Sequence, residues 1–285
     1  MELTLEFWFM LPVAVLVSTV AMASGVEGAT FFTPAFILAL GLAPEVAVGA
    51  GLITETFGLT SGVTAYARKR LIDYRLGAGL LIVTVPAALV GTWAVGYVEA
   101  DVLKGALGVG LLVLGVTFLR PPHAEPDGAA TSAPQEADEG SLRCLATRDL
   151  GTVCYRVCRR AESRVLAGVG ALFLGMVSTG LGEVNGYVLL RRCRVPGPVA
   201  VASSVLVVAV TALAASASHV GHLVHAGGPT LGTVLSLVMF TVPGVIVGGQ
   251  LGPRAAALLS QRALERGLAV LFLGVAVLML ADVLR

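Results

Sequence analysis

Long apolar runs, separated by short polar punctuation, set the plan of this chain. In the first half the runs are Leu5 to Ala23, Thr30 to Ala43, Val46 to Ala67, Leu76 to Val98 and Val102 to Leu119. In the second half they are Val165 to Gly180, Val184 to Leu190, Val199 to Ser218, Leu231 to Gly249 and Ala263 to Leu284. Long runs with few charges predict helices that cross a bilayer. The run from Thr30 to Ala43 is short; at ~1.5 Å per residue it covers about 20 Å of a hydrocarbon core ~30 Å thick. Val184 to Leu190 is shorter still. Each short run adjoins a polar break, Ser24-Gly25-Val26-Glu27-Gly28-Ala29-Thr30 in the first half and Ser178-Thr179-Gly180-Leu181-Gly182-Glu183-Val184-Asn185-Gly186 in the second. Irregular backbone at membrane depth must be buried in protein or line a cavity. An ionisable residue there is costly, so its default reading is a functional site. One such break per half predicts a transporter whose substrate site is built from broken helices.

The pattern divides the chain into a first membrane repeat (1–119), a linker (120–164) and a second membrane repeat (165–285). The linker begins with Pro121-Pro122-His123-Ala124-Glu125-Pro126-Asp127-Gly128, a composition that predicts disorder. From Arg143 to Cys158 polar and β-prone residues alternate around Asp149-Leu150-Gly151, which predicts a small hairpin with Val153, Tyr155 and Val157 on one face. The halves share residues as well as plan. Val85-Pro86-Ala87-Ala88-Leu89-Val90-Gly91 matches Val242-Pro243-Gly244-Val245-Ile246-Val247-Gly248, and Pro44-Glu45-Val46-Ala47-Val48 matches Gly197-Pro198-Val199-Ala200-Val201 less strictly. The fold class expected is an all-α polytopic membrane protein of two homologous halves, about five segments each.

Charge supplies orientation. Arg68, Lys69, Arg70 and Arg75 form one basic loop, Arg191, Arg192 and Arg194 another, and Arg254, Arg262 and Arg266 a third; the linker's second end is also arginine-rich. These regions share one side only if each half crosses five times, so the halves are expected to be inverted, with the linker cytoplasmic and the N-terminus outside. Glu2 and Glu6, with no basic residue before the first run, argue against a signal peptide. The chain is 56% hydrophobic and only 13% charged, with a net charge of +1, which excludes a soluble domain and gives no electrostatic case for nucleic acid.

The candidate site residues are Glu27, Glu183 and Asn185, with Gly25, Gly28, Thr30, Ser178, Thr179 and Gly182 around them. Glycines let backbone approach a ligand, and helix N-termini after the breaks offer free N–H groups to an anion. Glu55 is a further candidate: Gly51, Glu55, Gly58 and Gly62 share one helical face. The matching face of the second half is expected to carry Ser204, Val208, Thr211 and Ala215, without an acid; Ser203 and Ser204 join the substrate-binding set. Pro86 and Pro243 are expected to bend their helices. His219, His222 and His225 are read as a solvated loop rather than a metal site. Cys144, Cys154, Cys158 and Cys193 are read as ordinary thiols, with no disulfide framework. No metal or cofactor site is expected, and no GxxxxGK[ST], HExxH or suitably placed GxSxG indicates an enzyme.

Gly25-Val26-Glu27-Gly28-Ala29-Thr30-Phe31-Phe32-Thr33-Pro34 resembles the glycine-rich signature of the TauE/SafE family of sulfite exporters. Gly41-Leu42-Ala43-Pro44 and the basic segment Arg68 to Arg75 are similar to the family's next loops, and Gly180 to Gly186 with Ala200 to His219 repeats the plan. The resemblance implies a multi-pass protein of a prokaryotic inner membrane that moves a small anion (sulfite, a sulfonate or a related sulfur compound) by alternating access. The expected partners are that anion and the lipid bilayer; a homo-oligomer stays open. Glu27 and Glu183 stand where many members have glycine. Carboxylates beside an anion repel it unless protonated or bridged, which points to proton coupling. The alternatives are a cation substrate at Glu27, Glu55 and Glu183, or a membrane sensor or assembly partner working through its linker.

Overall fold

A computed structural model of the protein describes residues 5–24, 27–119, 142–148, 151–156, 160–193, 195–226, 229–258 and 261–283. The described chain is almost wholly helical. The first half gives α1 (Met10–Ser24), α2 (Ala29–Leu38), α3 (Pro44–Arg68), α4 (Tyr74–Val95) and α5 (Ala100–Leu119). The second gives α6 (Arg160–Val177), α7 (Leu181–Gly186), α8 (Gly197–Ala226), α9 (Pro229–Leu258) and α10 (Gln261–Val283). Among the described residues α3, α4, α5, α8 and α9 are long and apolar enough to cross a membrane. α2 is short, as its sequence predicts, and α7 runs straight into a π-helical stretch, Tyr187–Arg192. The proposed linker disorder (Pro121 to Glu139) and Gly25 lie outside the described residues.

α3 and α8 form the centre. Their apolar windows are 67% and 72% buried, against 28% for α5, whose outward face is left for lipid. Around them the helices pair as α1 with α9 and α6 with α4, α3 with α9 and α8 with α4, and α5 with α10. Exchanging the two halves maps this pairing onto itself. Individual residues obey the same exchange. The offset that carries Pro86 to Pro243 also carries Thr54 to Thr211 and Thr84 to Thr241. Thr54 Oγ1 bonds Thr241 Oγ1 at 2.9 Å across α3 and α9. Thr211 Oγ1 bonds Thr84 Oγ1 at 2.9 Å across α8 and α4. The offset corrects one expected match: Glu55 is paired with Ala212, one helical turn from Val208, because the Pro44 and Pro198 loops align differently from the helices they open. The face still carries no second acid.

Driving force for helix association in lipid comes from close packing rather than from hydrophobicity. The α4–α6 seam shows how close. A Cβ on Gly175 would strike the Ala88 carbonyl and come within 2.9 Å of the Thr92 nitrogen, and one on Gly91 would strike the Leu172 carbonyl. Both obstacles are backbone and cannot swing aside. Gly175→Val is therefore expected to cost at least about 3 kcal/mol, the upper range for overpacking. Gly110→Val, where a Cβ meets nothing, is expected to be neutral. Thermal unfolding of both variants in detergent checks this.

The hairpin forms where alternation predicts it. β1 (Leu142–Ala146) pairs antiparallel with β2 (Thr152–Arg156), with Gly151 at φ 69° in the turn. Leu145, Val153 and Tyr155 pack on Leu76, Leu189, Val195 and Val199, closing one end of α4 and α8. Cys144 and Cys154 are directly opposite and are disulfide-bonded, and Cys193 is also oxidised. This corrects the reading of the cysteines as plain thiols: spacing along the chain does not reveal that the hairpin register brings two of them face to face. The histidines are corrected too. They lie within α8 rather than in a loop, and His219 is buried with Nε2 3.3 Å from the Gly175 carbonyl.

Asp73 anchors the hairpin. It caps α4 by accepting from the backbone N–H groups of Arg75 (2.9 Å) and Leu76 (3.0 Å). It also accepts from Arg143 Nη1 (3.0 Å) and the Tyr155 hydroxyl (2.5 Å). Burial pushes the Asp73 carboxyl up, but the bonds from Tyr155, Leu76 and Arg143 outweigh it and hold the group below its ordinary value. Burial, then the bond to Asp73, pushes the Tyr155 phenol up. The Asp73 contribution is thus present above the unfolded carboxylate value, ~3.9, and lost as pH falls through the lower folded value. The Tyr155 contribution is present below ~10 and lost as pH rises through the higher folded value. A dye on the exposed Thr152 is expected to show slow anisotropy between these limits and fast motion beyond them, and Tyr155→Phe to loosen the hairpin at neutral pH.

Candidate functional site

The two polar breaks meet. α1 ends at Ser24 and α2 begins at Ala29, leaving Glu27 and Gly28 between them. α6 ends at Val177; Ser178 (φ 59°) and Gly180 (φ 115°) then take left-handed backbone, and α7 begins at Leu181. Such a φ favours glycine at 180 and marks strain at Ser178. The turn exposes the first amides of α7, and Glu27 of the other half reaches them. Its Oε2 accepts from Gly180 N–H at 3.0 Å, and its Oε1 accepts from Gly182 N–H. Gly182 has to be glycine for this: a Cβ there would lie 2.9 Å from Glu27 Cγ.

Glu183, at the third position of α7, turns back and accepts from the same Gly180 N–H at 3.1 Å. The Glu27 amide also acts on the Glu183 carboxylate, so each break serves the acid of the other. Hydroxyls complete the contact. Thr30 Oγ1 bonds Thr179 Oγ1 at 2.7 Å and donates to Glu183 Oε1 at 3.4 Å. Thr33 bonds Ser178 through their hydroxyls. Glu27 lies deep in the protein with 2% of its surface exposed, and Glu183 is half-buried.

α3 supplies the third acid. Gly51 packs against the Thr33–Ser178 pair, and Gly58 against Val245 of α9, so the small-residue face is the seam its spacing predicts. Glu55, one turn beyond Gly51, is 2% exposed. Its charge bears on both Glu27 and Glu183. The amides of Gly28 and Ala29 act on the Glu55 carboxylate, yet neither of its oxygens completes a hydrogen bond. Asn185 is buried, with Nδ2 unpartnered. The structure thus brings together Glu27, Glu183, Gly182, Thr30, Ser178, Thr179, Gly28 and Glu55. It does not bring Ser203, whose hydroxyl accepts from Asp73 N–H at 2.9 Å at the hairpin end of α8. Ser204 is buried on α8 without a hydrogen bond to the glutamates.

Thr33 and Gly180 belong to the cluster and are absent from the expected set. Thr33 lies only one turn beyond Thr30 on α2, a signal that helical spacing offers. Gly180 acts through its backbone, which no side-chain reading reveals. No three acidic, histidine or cysteine groups among the described residues converge on a point where a metal ion could sit.

Paired helix breaks docked inside a bundle of apolar helices, with buried acids between them, define a polytopic membrane transporter. The family model for the sulfite exporter TauE/SafE matches residues 10–279, so the chain belongs to that family. It is similar to two proteins of Bacillus subtilis (strain 168). "Probable membrane transporter protein YjnA" is 23% identical over 249 residues, covering 81% of this chain and 84% of the relative. "Probable membrane transporter protein YunE" is 21% identical over 257 residues, covering 87% and 88%. No solved structure matches.

Proposed function

We propose that this transporter carries a small sulfur-containing anion, such as sulfite or a sulfonate, across a prokaryotic plasma membrane. It works by alternating access of two inverted halves around Glu27, Glu55 and Glu183, with export as the direction and protons as the coupling ion. The observation that carries the reading is the shared amide. Glu27 and Glu183 both accept from Gly180 N–H, and the charge of Glu55 bears on both. Like charges so close in an apolar interior need neutralising. Protons do this and in the same step free the α7 amides that Glu27 occupies. The freed amides, with Thr30, Thr179 and Asn185 Nδ2, are donors suited to an oxyanion.

A cation in place of the protons is the second reading, favoured by the number of acids. Its geometry is weaker, because the three carboxylates do not converge on one ion. Flux in proteoliposomes separates the two. Sulfite, sulfate, thiosulfate and a sulfonate are offered, each with and without a pH gradient. The expected result is gradient-driven movement of one anion. Movement of a metal cation with no anion flux would establish the second reading instead, and an anion flux indifferent to pH would remove the protons.

A further inference from the structure

A cavity lies under the hairpin, lined by none of the three glutamates. Arg75 and Leu76 of α4, Ser163 and Arg164 of α6, and Arg143 of β1 face it over an apolar floor that includes Leu80 and Leu189. Three arginines therefore line one small space. Asp73 engages one of them, through Arg143 Nη1 at 3.0 and 3.2 Å from its two oxygens. The rest of the Arg143 fork is left over, since a guanidinium has five donors. The guanidinium groups of Arg75 and Arg164 have no hydrogen-bond or ion-pair partner among the described residues. Arg164 lies along α4 at Gly79, where a Cβ would sit 3.7 Å from Nη2, so the helix surface there is cut away beneath the guanidinium.

Like charges gathered around one small space repel one another, and planar guanidinium forks there suit a tetrahedral oxyanion. The depth fits as well. Arg75 sits in the first turn of α4 and Arg164 near the start of α6, level with the hairpin, where a helix of a membrane protein meets headgroups. We propose that this cavity is a binding site for a phosphate-type oxyanion, held by Arg75, Arg164 and the free donors of Arg143, with Ser163 as a neutral donor. An anionic lipid headgroup and free phosphate present the same chemistry. Through Arg143 the bound anion joins the hairpin to α4 and α6. The inference does not rest on the transport reading.

The test uses the full chain in nanodiscs of phosphatidylcholine, with or without phosphatidylglycerol, and in the neutral discs with or without sodium phosphate. Thermal midpoint and lipid retained in native mass spectrometry are read. Arg75→Gln/Arg164→Gln removes the unpaired forks and spares Arg143 and its bond to Asp73. Arg68→Gln/Arg70→Gln removes as much charge from the neighbouring basic loop. The expected result is a raised midpoint with phosphatidylglycerol or with phosphate, lost in the first variant, with at least about tenfold weaker retention, and kept in the second. A response to phosphatidylglycerol alone identifies a lipid, and one to phosphate in neutral discs a free anion. If the wild type responds to neither, or both variants lose the response equally, the site is overturned. Should Arg75→Gln/Arg164→Gln not fold, Arg75→Lys/Arg164→Lys replaces it, and an undiminished response there likewise overturns fork recognition.

Discussion

Glu55→Gln is expected to make the protein more stable and less useful. Both carboxylate oxygens are buried without a hydrogen bond, and an unsatisfied buried polar group costs about 1–3 kcal/mol, more when charged. Glutamine keeps the shape and removes a like charge from beside Glu27 and Glu183. The thermal midpoint is therefore expected to rise by several degrees, as about 1–2 kcal/mol gives in a chain of moderate size. Anion flux is expected to lose its dependence on a pH gradient, with the initial rate down at least tenfold. A residue kept at a loss of stability is retained for function. An unchanged or lower midpoint with normal coupled flux would return Glu55 to an ordinary packing role.

Glu27→Ala should act in the opposite sense on stability. It strips the acceptor from the Gly182 amide and half of the acceptors from Gly180, at the point where the two halves touch. Losing the partner of a buried donor costs about 1–3 kcal/mol, and two donors are affected, so a loss of about 2–5 kcal/mol is expected. Glu27→Gln retains an acceptor oxygen and should recover much of that loss without recovering coupled flux. The pair of variants separates holding the breaks together from carrying a proton. Melting curves and proteoliposome flux on the same preparations are the measurements. Equal behaviour of the two variants in both would mean that the charge of Glu27 is irrelevant.

What was legible beforehand follows from the range of each interaction. Apolar runs are local, so each falls on a helix, although α8 and α9 run past the expected Ser218 and Gly249 to Ala226 and Leu258; alternation over Arg143 to Cys158 predicts the hairpin found from Leu142 to Arg156. Glu27, Glu55 and Glu183 were legible because charge in an apolar run is conspicuous. That Glu27 caps the helix carrying Glu183 was not, since the contact joins residues far apart in the chain. The same holds for Cys144 and Cys154, which only the hairpin register brings together, and for Asp73, which reads locally as a helix cap but gathers Arg143 and Tyr155 from the linker. The repeat was visible at Val85 and Val242; the preceding residues, Thr84 and Thr241, carry the interhelical bonds. The Pro44 and Pro198 loops align one turn away from the helices they open, so their likeness does not carry over to α3 and α8, which those threonines match. Ser203 belongs with Asp73 and not with the glutamates.

The exchange that carries one half onto the other leaves a remainder. Thr54 finds its counterpart in Thr211 and Thr84 in Thr241, but one residue after Thr54 stands an acid, and one after Thr211 stands Ala212. Under the alternating access proposed above, identical halves would make the inward-open and outward-open shapes mirror tasks for the same groups, with equal energy. With a charge on α3 alone, the two shapes hydrate that charge differently. On the proposed mechanism, the resting protein then favours one side of the membrane with no gradient applied, by an amount written into a single side chain.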